Sequence, residues 1–532
     1  MTDRISSSPE PALSRAASLS LSQKRWSFAG VLMALFLASL NLTVVGTALP
    51  RVVSELGGIH LYSWAFTGYF LTSTLVIAIS GKISDIYGRK PLMLLGIIIF
   101  SAGSTLLSLS PDILTLIVLR GVQGIGGGLL ISMSFATIAD IFTPQERGRY
   151  QGFTTSAFGF SSIVGPLIGG LITDHFGWRC VFLINLPFGL LAFLFIQKHL
   201  QGVQVRQKAV IDYVGILLLG STTISLLLGL TFAGLRGSWL HAQVLTCLSI
   251  TVLSVGSFLV WERRFPSPVM DLKLFRNRTI TLSNLAGFLT IAAMHACINY
   301  LPLYLQGVKS TGATLSGLLL TPLMLGQVST SAISGILASR TGKYKPFVVV
   351  GGCLIAVALA FTATLGQDTP VWYTLFFMVL LGMGMGPVMS LLTLAVQNAA
   401  PKEQIGMATS LNQFFRQLGG TIFVTILGIF LNQYLALHVS EHLPAVVQTL
   451  PPDLVASIHN PNALSNPVMM GEIRQDLLQF GGSELAHRVL DGLRAMLSGA
   501  IQNIFLTTCG VGFLVVLVLL GLPSDGRKQQ RN

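Results

Sequence analysis

The sequence predicts an all-α polytopic membrane protein of fourteen transmembrane helices, arranged as two six-helix halves with two further helices inserted between them. Three observations lead to this prediction. The 532-residue chain is 52% hydrophobic and only 10% charged, whereas a soluble protein of this size carries roughly a quarter charged residues. Many of its apolar runs approach or exceed the roughly 20 residues that cross a bilayer. Two short charged motifs of the first half also recur in the second, which indicates an internal duplication.

Hydropathy places the spans in order along the chain. They are expected at about 27–49, 61–80, 92–110, 113–139, 150–172, 179–197, 213–233, 241–261, 280–303, 314–338, 346–366, 371–396, 409–431 and 499–522. With the N-terminus inside, most of the 33 lysines and arginines fall on the cytoplasmic side, as the positive-inside rule requires. We therefore expect a multi-pass protein of the plasma (inner) membrane with both termini in the cytoplasm. The net charge of +13 then reflects topology and contact with membrane lipid, and no nucleic-acid partner is predicted.

The connections between spans define the expected domains. These are a Ser-rich disordered cytoplasmic tail at 1–25, an N-terminal half at 26–200, a linker with the two inserted helices at 201–278, a C-terminal half at 279–522 and a cytoplasmic tail at 523–532. The C-terminal half includes a long extracellular connection, 432–498. Its part from 472 to 497 has helically spaced apolar residues, so it could lie on the outer leaflet, cap the exit or act only as a tether. The five cysteines lack CxxC spacing and are interpreted as packing residues, so no metal site is predicted.

The charged run GKISDIYGRKP, residues 81–91, joins the second and third spans. Gly81 and Gly88 allow a turn and a close approach of neighbouring helices. Asp85 can pair with Arg89 or Lys90, or with a helix N-terminus, where the helix dipole favours an anion. We interpret this run as a cytoplasmic gating loop; a solvated positive-inside loop is the simpler alternative.

Two repeats connect the halves. Gly81-x3-Asp85-x2-Gly88-Arg89 recurs as Gly335-x3-Ser339-x2-Gly342-Lys343, and TPQERG at 143–148 recurs as APKEQIG at 400–406. Both pairs have nearly the same separation, which corresponds to eight spans. Two six-helix halves with two extra helices between them would produce that shift, and parallel halves of this kind enclose a central site near the bilayer midplane.

The 81–91 run resembles the signature loop between helices 2 and 3 of the major facilitator superfamily. LRGVQGIGGG at 119–128 is similar to the family's helix 4 motif, with its intramembrane arginine, and GFSSIVGPLIGGL at 159–171 is similar to the helix 5 motif that marks exporters. The exporter-motif positions are Gly159, Gly165, Pro166, Gly169 and Gly170. WAFTGYFLT (64–72), GWRCVFLINLP (177–187), YLPLYLQGV (300–308) and LNQFFRQLGG (411–420) resemble the fourteen-helix drug:proton antiporter branch, of the multidrug efflux type.

This resemblance implies the major facilitator fold and efflux of small amphipathic compounds by proton antiport. The driving force would be the proton gradient, with no bound cofactor, and the protein is expected to act as a monomer. Export of lipids or lipid-like metabolites on the same fold is the alternative, and a non-transporting membrane sensor is a more remote one. An enzyme is not predicted, because the sequence has neither HExxH nor GxSxG.

The proton-coupling candidates are Arg120, Asp140 and His295. An arginine within a span should face the bundle interior and hold a partner, and snorkelling to the interface is the alternative for Arg120. By resemblance, Arg120 would couple protonation to the cavity. Asp140 is interpreted as part of a gating charge cluster. His295 is related to Asn41 by the repeat separation, and the helices that carry them line the cavity in the fold that the resemblance implies, so both are expected to line it; a packed, hydrogen-bonded histidine is the alternative.

Further cavity candidates follow from the family's cavity helices. The complete set is Asn41, Trp64, Tyr69, Phe158, Ser161, His295, Asn299, Gln327, Asn412, Phe415 and Arg416. In the related branch the first span usually reads Leu-Asp-x-Thr, but here it is Leu40-Asn41-Leu42-Thr43, and no acidic residue stands in the middle of a predicted span. We therefore expect a preference for neutral, zwitterionic or weakly anionic compounds over dications.

Overall fold

The computed structural model describes residues 20–57, 61–201, 210–236, 238–309, 320–366, 369–442, 451, 454–455, 458 and 467–523. Most of the predicted tails, 1–25 and 523–532, therefore lies outside the described residues. The first tail was predicted too long, because a helix already begins at Leu21, where Ser20 and Gln23 form a reciprocal capping box.

The described residues are almost entirely helical and include no β-strand, which confirms the all-α prediction. The helices are α1 (Leu21–Leu56), α2 (Tyr62–Tyr87), α3 (Arg89–Ser108), α4 (Ile113–Ile141), α5 (Pro144–Phe176), α6 (Trp178–Leu183), α7 (Asn185–His199), α8 (Tyr213–Arg236), α9 (Ala242–Glu262), α10 (Arg278–Leu303), α11 (Thr321–Thr341), α12 (Lys345–Thr362), α13 (Val371–Ala399), α14 (Ile405–His442) and α15 (Pro467–Leu520). In the described part of the chain, 13 helical segments are long and apolar enough to span a membrane. The tenth predicted span coincides with α11, which is described only from Thr321 onward and is not among those 13.

Polar residues define where helices begin and end. Asp112 caps α4 by accepting the backbone N–H of Thr115 at 2.8 Å, and this hydrogen bond lowers the pKa of the Asp112 carboxyl. Thr143 and Glu146 form a capping box at the start of α5. Gly88 ends α2 with φ of 87°, a conformation that residues with a side chain rarely adopt. The motif residues Asp85, Gly88 and Arg89 therefore lie at a fixed helix–helix corner rather than in an extended loop.

Two groups of helices bury separate apolar cores. One lies among α1–α5 and α7 and includes Leu37, Phe100 and Met133. The other lies among α10–α15 and includes Leu323, Phe377 and Phe505. Helix α8 packs against α2, α14 and α9, and α9 leaves much of its apolar surface exposed, as expected for a helix that faces lipid.

The connection predicted at 432–498 is more helical than expected. Helix α14 continues to His442, and α15 already begins at Pro467, with a bend at Gly482 where φ is 70°. Ile473, Leu477 and Leu493 are buried in the same apolar cluster as the C-terminal helices. The described part from 467 to 497 thus packs one apolar face against the protein, which argues against a passive tether.

Candidate gate and buried polar site

Asp85 connects helices of the N-terminal half to a helix of the C-terminal half. Its Oδ1 accepts a hydrogen bond from Arg89 Nη1 at 3.2 Å, and its Oδ2 accepts the backbone N–H of Met407 in the first turn of α14 at 2.9 Å. Arg89 also pairs with Asp140 of α4 through Nε at 2.7 Å. Three sequence candidates are thus brought together, in a cluster that ties α2, α3 and α4 to the start of α14.

The remaining positions of the 81–91 run support this junction. A side-chain carbon at Gly81 would lie 2.6 Å from the carbonyl oxygen of Gly406, so α2 and α14 meet in backbone contact. Lys90 does not join the cluster. Its Nζ donates to the carbonyl oxygen of Gln197 at 2.7 Å, near the end of α7.

The second copy of the repeat makes the corresponding contact. Ser339, which stands where Asp85 stands in the first copy, accepts the backbone N–H of Arg149 in α5 at 3.1 Å and donates to the carbonyl oxygen of Gln145 at 2.7 Å. Gly335 lies against the backbone of Gly148, just as Gly81 lies against Gly406. Each copy of the first motif therefore binds the second motif of the opposite half. The 81–91 run contacts the start of α14, and its copy contacts the start of α5.

Buried amides join the halves beside this gate. Gln151 Nε2 donates to Gln397 Oε1 at 2.9 Å, and Gln397 Nε2 donates to the carbonyl oxygen of Phe135 at 2.9 Å. Sequence reasoning missed both glutamines. Gln151 stands at the very start of the span predicted at 150–172 and Gln397 one residue beyond the span predicted at 371–396, so neither stood out as a polar side chain in the middle of a span.

Arg120 lies at the centre of a second polar cluster, within the N-terminal helices. The residue is 0% exposed. Its Nε donates to the Ala65 carbonyl oxygen at 3.2 Å, and its Nη1 donates to Asn41 Oδ1 at 2.8 Å and to Gln123 Oε1 at 2.6 Å. The ring of Tyr69 covers the guanidinium, with its centroid 4.5 Å from Cζ. The side chain points into the bundle, so the structure does not support snorkelling.

The repeat-related pair does not form one site. Asn41 binds Arg120 inside the N-terminal core. His295 lies instead against Gly420 of α14, where a side-chain carbon at that glycine would be 2.6 Å from its Nδ1. Asn299 is exposed and donates to the His295 carbonyl oxygen at 2.7 Å.

The candidate aromatic residues are dispersed. Trp64 packs edge-on against Phe232 of α8, with ring centroids 5.8 Å apart. Phe415 contacts Phe275, in the short helix before α10, at 5.8 Å. Phe158 is half-buried in α5. Trp64 and Phe415 therefore pack towards the inserted helix and its linker, not against one another.

The remaining polar candidates divide between the two halves. Ser161 donates to Ser39 Oγ at 2.7 Å, which joins α5 to α1. Gln327 is buried in α11, near Gly159. Asn412 donates to Asn284 Oδ1 at 2.9 Å, and the buried Arg416 donates from Nη2 to the Met389 carbonyl oxygen.

The exporter-motif residues of α5 face two different neighbours. Gly165 and Gly169 lie against the Thr43 and Thr47 side chains of α1, closer than any side chain would permit. Pro166 lies beside them within the continuous helix, on an exposed surface. This part of the motif packs within the N-terminal half.

The ends of the motif behave differently. A side-chain carbon at Gly159 would lie 2.8 Å from Val328 of α11, so this glycine does face the other half. Gly170 has open space at the same position. Of the motif glycines, Gly159 therefore lies at the contact between the two halves, whereas Gly165 and Gly169 do not.

Comparisons with family models, with known sequences and with solved structures all indicate the same family. A family model described as Major Facilitator Superfamily matches residues 31–424. Multidrug transporter protein MdtP of Bacillus subtilis is 36% identical over 497 residues, which cover 90% of this chain and 92% of that protein. Multidrug resistance protein 3 of the same organism is 32% identical over 400 residues, which cover 75% and 78%. The solved structure of the human organic anion transporter MFSD10 (TETRAN) matches with a TM-score of 0.61 at 16% identity and covers 93% of this chain and 99% of that one, a likeness of fold alone.

Proposed function

This chain belongs to the major facilitator superfamily, and we propose from that premise that it exports small amphipathic compounds by proton antiport with alternating access. The names of its bacterial relatives, which describe multidrug transport, support the substrate class. The observation that carries the proposal is the paired contact of the repeated motifs, in which Asp85 and Ser339 each hold the beginning of a helix from the other half.

We assign this paired contact to the cytoplasmic end of the bundle, because the predicted topology places the cation-rich connections there. The described conformation is then closed towards the cytoplasm. Alternating access requires that such a contact break and re-form in each cycle, and hydrogen bonds to backbone amides can do so without repacking an apolar core.

Proton coupling is assigned to the Asp85–Arg89–Asp140 cluster. An ionised carboxylate accepts stronger hydrogen bonds than a neutral one, both from Arg89 and from the Met407 backbone N–H. Protonation would weaken both contacts and favour opening of this end. The cluster therefore gives a proton a differential effect on the two access states, as coupling demands.

Reconstituted transport tests the proposal. We expect protein in liposomes, under an imposed pH gradient, to move fluorescent amphipathic dyes faster than protein-free liposomes do, and a protonophore to abolish the difference. The panel should include labelled phospholipids, because flux of lipid without flux of dye would favour the lipid-export alternative. Dye flux that is indifferent to the protonophore would contradict antiport, and absence of any flux would contradict the transport proposal itself.

A further inference from the structure

We propose that the cluster around Arg120 and Asn41 binds a small monovalent anion. The source is either a halide ion from solution or the carboxylate of a compound in transit. The second source rests on the proposed export function, whereas the first does not.

The charge of Arg120 is unbalanced. The guanidinium is 0% exposed, and its three hydrogen-bond acceptors are all neutral: a backbone carbonyl and the side-chain amides of Asn41 and Gln123. Among the described residues Arg120 makes no ion pair. Removing a cation from water without an anion is strongly unfavourable, and buried charges in membrane helices are normally paired.

Two donors of the cluster lack an acceptor. Arg120 Nη2 and Asn41 Nδ2 are both buried and have no hydrogen-bond partner in the described part of the protein. Each is bonded to the same carbon as one of the two atoms that form the 2.8 Å hydrogen bond between Nη1 and Oδ1, so both belong to one cluster. A guanidinium donor and an amide donor beside one positive charge are the groups that an anion requires.

Two other buried arginines, Arg89 and Arg416, have different surroundings. Arg89 has two carboxylate partners, Asp85 and Asp140. Arg416 has no ion pair in the described residues either; its Nη2 donates to the Met389 carbonyl oxygen, and its Nε lies where a side-chain carbon at Gly287 would be 3.3 Å away. Arg416 therefore provides a control: a second buried arginine without an ion pair in the described residues, which lies in the other half of the protein.

Thermal unfolding of the purified full chain in uncharged detergent tests the halide source. At constant sodium concentration, replacing gluconate by chloride or bromide should raise the unfolding midpoint saturably, by at least about 2 °C, because a ligand that binds only the folded state stabilises it. Asn41→Asp places a carboxylate beside Arg120 and should abolish the halide response while keeping the midpoint in gluconate at or above that of the parent. Arg416→Gln should keep the response.

Organic acids test the other source. In chloride-free buffer, amphipathic monocarboxylates are added to the parent and to Asn41→Asp. A saturable rise with the acids but not with halide, absent in Asn41→Asp, would identify the bound anion as that of a transported compound. No response to any anion would overturn the proposal, and so would a halide response that persists in Asn41→Asp or disappears in Arg416→Gln. None of these binding outcomes depends on the outcome of the flux measurement.

Discussion

At the scale of single residues, the role of Asp85 in the gate is the most clearly defined, because each of its carboxylate oxygens accepts a hydrogen bond from a different helix. Asp85→Asn keeps a carbonyl oxygen for the Met407 N–H but removes the charge that holds Arg89. Loss of a charge-assisted bond is worth roughly 1.5–3 kcal/mol, enough to change a rate by about tenfold or more. We expect a folded, inserted protein whose dye efflux in proteoliposomes is slower by at least about tenfold.

Glu55→Gln is the control for this change. Glu55 lies at the opposite end of α1 from the gate, and hydrogen bonds from Arg51 and Trp178 lower the pKa of its carboxyl, so it too is an ionised partner of an arginine. We expect parental efflux from Glu55→Gln because exposed ion pairs contribute little. Parental efflux from Asp85→Asn would refute the gate.

Arg120→Lys tests the shape of the buried cation. The guanidinium reaches acceptors on α1, α2 and its own helix α4 through two nitrogens, Nε and Nη1. A lysine carries its three donors on one nitrogen and cannot place them at the positions of both Nε and Nη1, and each buried acceptor left out of reach costs about 1–3 kcal/mol. We expect a lower unfolding midpoint and poor efflux; a parental rate would show that only the charge is needed.

At the scale of helices, the glycines of α5 make a contrast that can be measured. Gly165→Ala would force a methyl group into Thr43 of α1, and overpacking of this kind typically costs about 1–3 kcal/mol. Gly170→Ala meets open space five residues further along the same helix and is the matched control. Thermal unfolding in detergent should separate the two variants, and equal midpoints would contradict the close packing of α5 on α1.

The helices also show how far the sequence alone could lead. Charge-free runs locate the spans, because a bilayer admits few unpaired charges, and Gly88 and Asp112 set helix ends through their local conformation and capping. Local sequence patterns do not show which helices pack against each other. Trp64 was expected in a cavity, yet it packs on Phe232 of α8, which no short-range pattern reveals. The contact between Asp85 and Met407 was out of reach for the same reason, although the repeat had marked both segments.

At the scale of the whole molecule, the paired contact of the repeats predicts a conformational lock. Arg149 N and Ser339 Oγ are 3.1 Å apart across the gate. With the five native cysteines replaced, Arg149→Cys combined with Ser339→Cys should form a disulfide under oxidation. We expect oxidation to stop efflux and a reductant to restore it, since the closed end could no longer open. Each single-cysteine variant should be insensitive to oxidation; continued efflux by the cross-linked protein would contradict alternating access through this gate.

The charge inside the bundle leads to a prediction about the compounds that the protein exports. Arg120 and Arg416 are both buried without a carboxylate partner in the described residues, and the described carboxylates near the gate are already engaged, Asp85 and Asp140 by Arg89. A dication entering between the halves would find repulsion and no counter-charge.

We therefore expect the parent to export neutral, zwitterionic or weakly anionic amphiphiles in preference to dications, and Asn41→Asp to shift that preference towards cations. The carboxylate would neutralise Arg120 at 2.8 Å, the present separation of Nη1 and Oδ1, and would so remove the positive bias of the N-terminal helices. Efflux of a neutral dye, a monocation and a dication should be measured for both proteins in the same liposomes. The ratio of dication to neutral efflux should rise in the variant, by roughly tenfold if the change in electrostatic free energy at the substrate is about 1.4 kcal/mol. If the parent already prefers the dication and Asn41→Asp leaves the ratio unchanged, the unpaired arginines do not set selectivity, and another part of the central site must do so.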